Sequence, residues 1–465
     1  TTRSVSGIVV GGNYVGGLIG LNDIGGTVDV AYTLLGGRVT ASGDCAGGLI
    51  GLNASEQLLT QTLRLQPAGV RGRYFVGGVI GANVVALSKD LTVSGLTASN
   101  RLGQLSATAF CGGLIGYHRT YAAGQLGSGT MLEYLLADAG NKNRLLPAVT
   151  DAAGVPDDVL KTENSFILTI EPAGNETAAV NVSNDMSLRG GAYVGGIVGY
   201  CDRASRLVLK NCRNAGSFAL PAAELLTGTP FETGADIAAM LRKHGYADAA
   251  AALSDELGGA QLRARIIGGV IGVNGTNQVV DGCVSTGAMN NLTALGGVVG
   301  LNEGLIVNCT LSGNLGSATQ DYVGGIAGLN VGLPGTTLTM DGYTYAPGTI
   351  ENCSTDAGRT VTGQRAVGGI VGCNLLGGVV ESSDSRANVS GLSAVGGIAG
   401  ENEGTVIVTS ASGAVSRRVT GLTGGSGVGG IIGLNAKTGT LTARKTGTAS
   451  DVLATDRGLT VTGHE

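Results

Sequence analysis

Eleven times along this chain one short phrase returns: an apolar residue, Gly-Gly, two more apolar residues, Gly, one variable residue and then, in nine copies, Asn. The Gly pairs begin at Gly16, Gly47, Gly77, Gly112, Gly195, Gly268, Gly296, Gly324, Gly368, Gly396 and Gly429. Their spacings are 31, 30, 35, 83, 73, 28, 28, 44, 28 and 33 residues. A recurring period near 28 with longer excursions is the signature of stacked copies of one supersecondary unit. Stacking overrides the two or three globular domains that 465 residues would otherwise suggest.

The phrase reads as strand. Val15, Gly17 and Ile19 fall on one face of an extended segment, and Gly16, Leu18 and Gly20 on the other. The Val15 position is filled in later copies by Ala46, Val76, Cys111, Val194, Ile267, Leu295, Val323, Val367, Val395 and Val428, a column rich in β-branched residues. Three Gly in each of eleven copies place 33 glycines at fixed positions. Each weakens a regular element by roughly 0.5–1 kcal/mol relative to Ala, so a steric need must hold them there. Either a bend with positive φ or a close approach between backbone and neighbouring side chains would supply it. Gly16, Gly17, Gly20 and Asn22 of the first copy, and Gly296, Gly297, Gly300 and Asn302 of the seventh, represent this structural repeat.

A second column contains Cys212, Cys283, Cys309 and Cys353, and apolar residues such as Val361 and Leu392 suggest a third strand per coil. The expected fold is all-β: a single-stranded parallel β-helix, or β-solenoid, of about eleven coils. General crossover chirality makes it right-handed. Coils 1–4 are placed at 1–118, coil 5 at 173–213, and coils 6–11 with a C-terminal segment at 266–465.

Two insertions interrupt the coils, at 119–172 and 214–265. The first has a helical stretch at Met131 to Ala137, a Pro-bearing stretch from Pro147 to Pro156, and a strand at Ser165 to Ile170. The second is expected to be a helical hairpin. Ala235, Ile237, Ala238 and Leu241 share one helical face, Gly245 ends that helix, and Ala247 to Leu257 form another. A smaller insertion lies between Val331 and Thr349. The insertions read first as ornaments that plug or shield the stack and, as the alternative, as the place where ligand contacts would reside. Tyr343 and Tyr345, read as exposed, and His244, read first as a helix-end residue, are the candidates.

The Asn after each motif reads chiefly as a ladder of side-chain hydrogen bonds along the stack, with His118 and Cys201 in its place in the fourth and fifth copies. The eight Cys read as interior thiols stacked in columns; disulfides are the alternative, with Cys201 and Cys212 the first pair to test. No metal-type Cys spacing occurs, and no cofactor motif is found. Asp321, Asp341, Asp384 and Glu401 occupy different repeat positions, and there are only three His, so neither a carboxylate column nor a Ser-His pair can be assembled. Catalytic, cofactor-binding and metal-ligating residues are all read as none, and the chain as not an enzyme.

Only 14% of residues are charged, the net charge is −5, and no Lys/Arg run exists, which argues against nucleic acid. No apolar run approaches the ~18 residues of a membrane span, so no membrane insertion is expected. Thr1 opens the chain without a capping segment, which suggests an excised section of a larger protein with flanking domains as neighbours.

The phrases from Gly16 to Asn22, Gly47 to Asn53 and Gly429 to Asn435 resemble the GLUG motif, which recurs in large bacterial cell-surface proteins, including the non-catalytic region of IgA-cleaving metallopeptidases. The resemblance covers roughly Ser6 to Lys437 outside the two long insertions. It implies a secreted or surface-attached bacterial protein whose repeats present or space other domains, and it carries over no catalytic residue. The expected function is a structural, adhesin-like module whose partners are a host or bacterial surface protein or glycan. The alternative is a carbohydrate-active or carbohydrate-binding β-helix.

Overall fold

The computed structural model describes residues 4–29, 34–59, 64–121, 165–173, 182–229, 235–256, 263–290, 295–317, 319–410, 421–445 and 461–463. The chain forms two units, Thr1–Arg265 and Ile266–Glu465. Each is built from short parallel strands that pair with their counterparts one coil later, an all-β parallel β-helix architecture.

In the first unit the Val15 column stacks as the repeat requires. Val15 pairs with Ala46, Ala46 with Val76, Val76 with Cys111 and Cys111 with Val194. After a two-residue bend the chain enters a second strand, where Ile19, Ile50, Ile80, Ile115 and Val198 stack in turn. A further face is made by Leu91–Ser94, Ile167–Glu171 and Arg206–Lys210. The expected strand at Ser165 to Ile170 is therefore a coil strand, and the coil strand Ile115–Tyr121 also runs past the expected start of the first insertion. The helix expected at Met131 to Ala137 and the stretch from Pro147 to Pro156 lie outside the described residues.

The second unit repeats the scheme with greater regularity. Val323, Val367, Val395 and Val428 form its Val15-type column. One complete coil runs through five short strands: Leu295–Gly296, Val299–Asn302, Leu305–Val307, Thr310–Leu311 and Leu315–Gly316. The sequence pointed to three. Val361 belongs to a real column with Leu315, Val389 and Leu422. Leu392 does not, because it follows the strand Asn388–Ser390 and is 61% exposed.

The motif glycines have a different reason from positive φ, which none of them adopts. A Cβ on Gly296 would lie 1.6 Å from the Val299 carbonyl oxygen of its own bend. On Gly297 it would lie 2.0 Å from the Gly325 oxygen of the next coil, and on Gly300 2.7 Å from the Gly272 oxygen of the previous one. The approach is backbone on backbone, in three directions, and leaves no room for any side chain. Positive φ falls instead two residues before the Gly pair, on Tyr14, Cys45, Phe75, Phe110, Tyr193, Tyr322, Ala366 and Ala394. A left-handed residue other than Gly costs roughly 1–2 kcal/mol, so tertiary packing imposes this corner. A second left-handed corner recurs at Asn211, Gly282, Asn308, Asn352 and Ser382, just before the Cys column.

Two substitutions separate these constraints. Gly297→Ala, which adds one methyl against a fixed carbonyl, is expected to cost about 2–3 kcal/mol. Ala366→Gly, which relieves a left-handed residue but loosens the unfolded chain, should stay within about 1 kcal/mol of the parent. Denaturant midpoints measure both; equal effects would show that backbone approach is not the controlling term.

Candidate functional site

The most extensive polar arrangement in each unit is the Asn ladder. In the first unit the Asn22 amide donates to Asn53 Oδ1 at 2.7 Å, and the Asn53 amide to Asn83 Oδ1 at 2.7 Å. In the second unit Asn274, Asn302, Asn330, Asn374, Asn402 and Asn435 form a continuous chain at 2.7–2.8 Å. The amides also donate within their own turns, as from Asn302 to Gly304 O and from Asn374 to Gly378 O. In Asn53, Asn274, Asn302, Asn330, Asn374 and Asn402 both amide hydrogens are occupied, and except for Asn435 the ladder residues are buried. The row ties each coil to the next.

His118 takes an Asn place, as expected, and changes the chemistry there. Its Nδ1 lies 3.1 Å from the Asn83 amide nitrogen and 3.1 Å from the Asn83 carbonyl oxygen. Accepting from the amide leaves the proton on Nε2, which is buried without a partner. Burial pushes the imidazole down to about 4, against the opposing pull of the Asn83 carbonyl. Cys201 stacks directly on His118 in the next coil.

All eight Cys are buried free thiols, Cys201 and Cys212 included. Cys309 sits between its column neighbours Cys283 and Cys353, its Sγ 3.2 Å from Val307 O and 3.4 Å from Val280 O. Burial raises Cys45, Cys201 and Cys309 well above the ordinary thiol range and Cys111 to about 12.

The left-handed corners of the first unit carry a feature the sequence reading missed. Phe75 and Phe110 stack at 5.2 Å between ring centroids, and Phe110 and Tyr193 at 5.1 Å. Tyr117 and Tyr200 form a parallel second pair at 6.2 Å. Aligning the residue two before each Gly pair would have revealed the column, since Tyr14, Phe75, Phe110, Tyr193 and Tyr322 all occupy it.

The helical insertion of the first unit packs on this aromatic end. Helix Ile237–Lys243 is capped by Asp236, whose carboxylate accepts from the Ala239 amide at 3.0 Å. Gly245 at φ +80° ends it, and helix Ala247–Glu256 follows. A short helix, Ala223–Leu226, precedes them and was not expected. Ile237, Ala238, Met240 and Leu241 are buried, and the Tyr193 hydroxyl donates to the Met240 sulfur at 3.8 Å. His244 is the C-cap and only 2% exposed, so the structure gives it to the helix end and not to a surface contact.

In the second unit the small insertion is an antiparallel hairpin, Leu338–Met340 with Tyr343–Tyr345, turning at Asp341-Gly342 where both φ values are positive. The reading of both tyrosines as exposed needs correction. The Tyr345 hydroxyl donates to Thr276 O at 2.9 Å and the residue is 5% exposed; the half-buried Tyr343 donates to the Asp281 carboxylate at 2.5 Å. Each ring is amphipathic, and its hydroxyl finds a partner on the coils, which clamps the hairpin down. The hairpin residues that face solvent are Thr339, Asp341, Gly342 and Thr344.

Beside the hairpin lies a cavity of about 300 Å³ bounded by Leu333, Pro334, Leu376, Thr405 and the buried Glu403. The other acidic candidates are dispersed. Asp341 is at the hairpin turn, Asp384 pairs with Arg386 at 3.0 Å, and Glu401 is buried in the column between Cys373 and Leu434. Burial raises Asp321 while the neighbouring Arg365 opposes that rise. Among the described residues no group of three or more His, Cys, Asp or Glu could hold a metal ion, and no helix is long and apolar enough to cross a membrane. Comparison with family models, curated proteins and solved structures finds no match.

Two measurements probe these interiors. The unfolded chain takes up the His118 proton near the ordinary value of about 6.5, and the folded chain only near 4, so stability is expected to fall as pH drops across that interval. The loss should approach about 3 kcal/mol. His118→Asn, which restores the ladder without a titrating group, should flatten that part of the profile in denaturant titrations at pH 7 and 4.5. A thiol reagent should modify none of the eight Cys in the native protein and all eight after unfolding, because the thiolate is the reactive form. Rapid native labelling would contradict their sealed position.

Proposed function

We propose that this chain is a non-catalytic structural and adhesive β-solenoid segment of a secreted or cell-surface bacterial protein. It presents or spaces other domains, and its insertions carry the ligand contacts. The observation that carries this reading is how the recurring polar groups are used. The Asn amides bond to the adjacent coil or to their own turn, and the column thiols are sealed inside. What solvent meets outside the repeat columns includes the tip of a clamped hairpin, Thr339, Asp341 and Thr344. The resemblance of the repeated phrase to the GLUG motif supports the bacterial surface setting.

The cavity beside Glu403 favours one second reading, a carbohydrate-active β-helix. Glycoside hydrolysis ordinarily needs two carboxylates about 5–9.5 Å apart, and among the described residues Glu403 is the one acidic side chain bounding this space.

A glycan array and a panel of polysaccharides distinguish the two. The proposed reading expects no bond cleavage. It also expects any retention on immobilised glycan or host surface protein to be lost in a Thr339→Ala, Asp341→Ala, Thr344→Ala variant that melts like the parent. Turnover abolished by Glu403→Gln, in a variant that still folds, would establish the second reading instead.

A further inference from the structure

One outer face of the first unit carries charge of a single sign. Its strands are Leu34–Ala41, Arg64–Arg71, Gln104–Gly112 and Ser187–Gly195, with Thr97–Ala98, Ser183–Asn184 and Arg213–Asn214 alongside. Together they hold five Arg and no Lys, Asp or Glu, in a chain whose 34 acidic residues outnumber its 29 basic ones. Arg38, Arg64, Arg71, Arg189 and Arg213 are all exposed. Arg64 and Arg71 open and close one strand, both turned outward.

Register sets the arginines in columns. Thr40 pairs with Arg71, Arg71 with Ser106 and Ser106 with Arg189. A hydroxyl residue therefore separates Arg71 from Arg189, two strand spacings or about 10 Å apart at the backbone. Arg64, Thr97, Ser183 and Arg213 form a second column, with about 14 Å between its two arginines. No two of the five stand directly opposite, which avoids the cost of paired like charges. Among the described residues only Arg71 of the five has an acidic partner, Glu224 at 3.0 Å, and solvent competes for that pair at both ends.

A face of this kind attracts a ligand that repeats negative charge along its length. Guanidinium is the cation that grips a carboxylate or sulfate through two parallel hydrogen bonds. Between the arginines lie Gln66, Gln104, Ser106 and Ser187, which offer donors and acceptors to hydroxyl groups. No aromatic ring is among these outward side chains, so a nucleic-acid base finds nothing to stack on. We propose that this face binds an anionic polysaccharide, with its acidic groups on Arg64, Arg71, Arg189 and Arg213 and its hydroxyls on the side chains between them. The site is additional to the insertion contacts proposed above and does not depend on them.

The test is binding of the full chain to immobilised polygalacturonate, dextran sulfate, neutral dextran and duplex DNA, read by biolayer interferometry. The expected result is binding to polygalacturonate, to dextran sulfate or to both, weakening as salt is raised, and none to neutral dextran. Which of the two polyanions is held identifies carboxylate or sulfate as the recognised group. An Arg64→Gln, Arg189→Gln, Arg213→Gln variant that melts like the parent should lose about tenfold or more in affinity. Arg38→Gln with Arg189→Gln takes its place if the triple variant melts early. Two controls should bind like the parent: Lys89→Gln with Arg242→Gln, exposed cations outside these strands, and the hairpin variant Thr339→Ala, Asp341→Ala, Thr344→Ala. Failure to bind either polyanion overturns the proposal. So does an equal loss in the Lys89, Arg242 control, which would reduce the effect to net charge, or tighter binding to DNA than to either polyanion. A loss confined to the hairpin variant would also overturn it and leave the insertion contacts standing.

Discussion

Backbone touches backbone at the second glycine of the repeat, and the rest of the architecture follows from that contact. A Cβ on Gly17, Gly48, Gly78, Gly297, Gly325 or Gly369 would sit about 2 Å from a carbonyl oxygen of the following coil. With hydrogen there instead, the coils close to strand spacing and the neighbouring columns come into register. Val15 then meets Ala46, Leu329 meets Cys373, and Asn330 meets Asn374. The interior is filled by like meeting like, one coil at a time, as expected for a quasi-one-dimensional stack.

The same contact explains why strain collects at the adjacent corner. To bring two glycines against the next coil, the chain must turn sharply just before them, and the left-handed residue there makes that turn. Tyr, Phe, Cys and Ala are all accepted at this corner despite the intrinsic penalty. In the first unit the corner side chains repay it by stacking, Phe75 on Phe110 and Phe110 on Tyr193. Offset or tilted aromatic pairs contribute roughly 0.5–1.5 kcal/mol beyond the area they bury, the same order as the backbone cost.

Much of this was legible in the sequence because it is written in columns. The parallel β-helix, the Asn ladder and the thiols as buried residues follow from position within the repeat, and the helix around Ile237 from the helical spacing of its apolar residues. Three things did not follow. The left-handed corner was hidden because no single residue type marks it; Gly was sought, and Tyr, Phe and Ala were found. The number of strands per coil was underestimated because elements of two residues, such as Thr310–Leu311, are too short to show alternation. Tyr345 was misjudged as exposed because burial of an insertion depends on partners distant in sequence; Thr276, which accepts from Tyr345, lies 69 residues earlier. A repeat reports its own geometry through repetition, and an insertion occurs once.

The ladder also governs how such a chain can change length. Every amide points the same way, so excising one whole coil leaves an Asn donor facing an Asn acceptor, and the seam heals. Removing a fraction of a coil would shift each later column onto the wrong neighbour. Additional residues must therefore loop outward between two ladder positions and return to the strand they left unfinished. The hairpin after Asn330 does this, with the chain resuming at Thr349 in register with Leu305 and Val379. Duplication in whole turns and decoration at corners are the two edits this architecture tolerates, and spacings of 28 beside one of 44 are the trace both would leave.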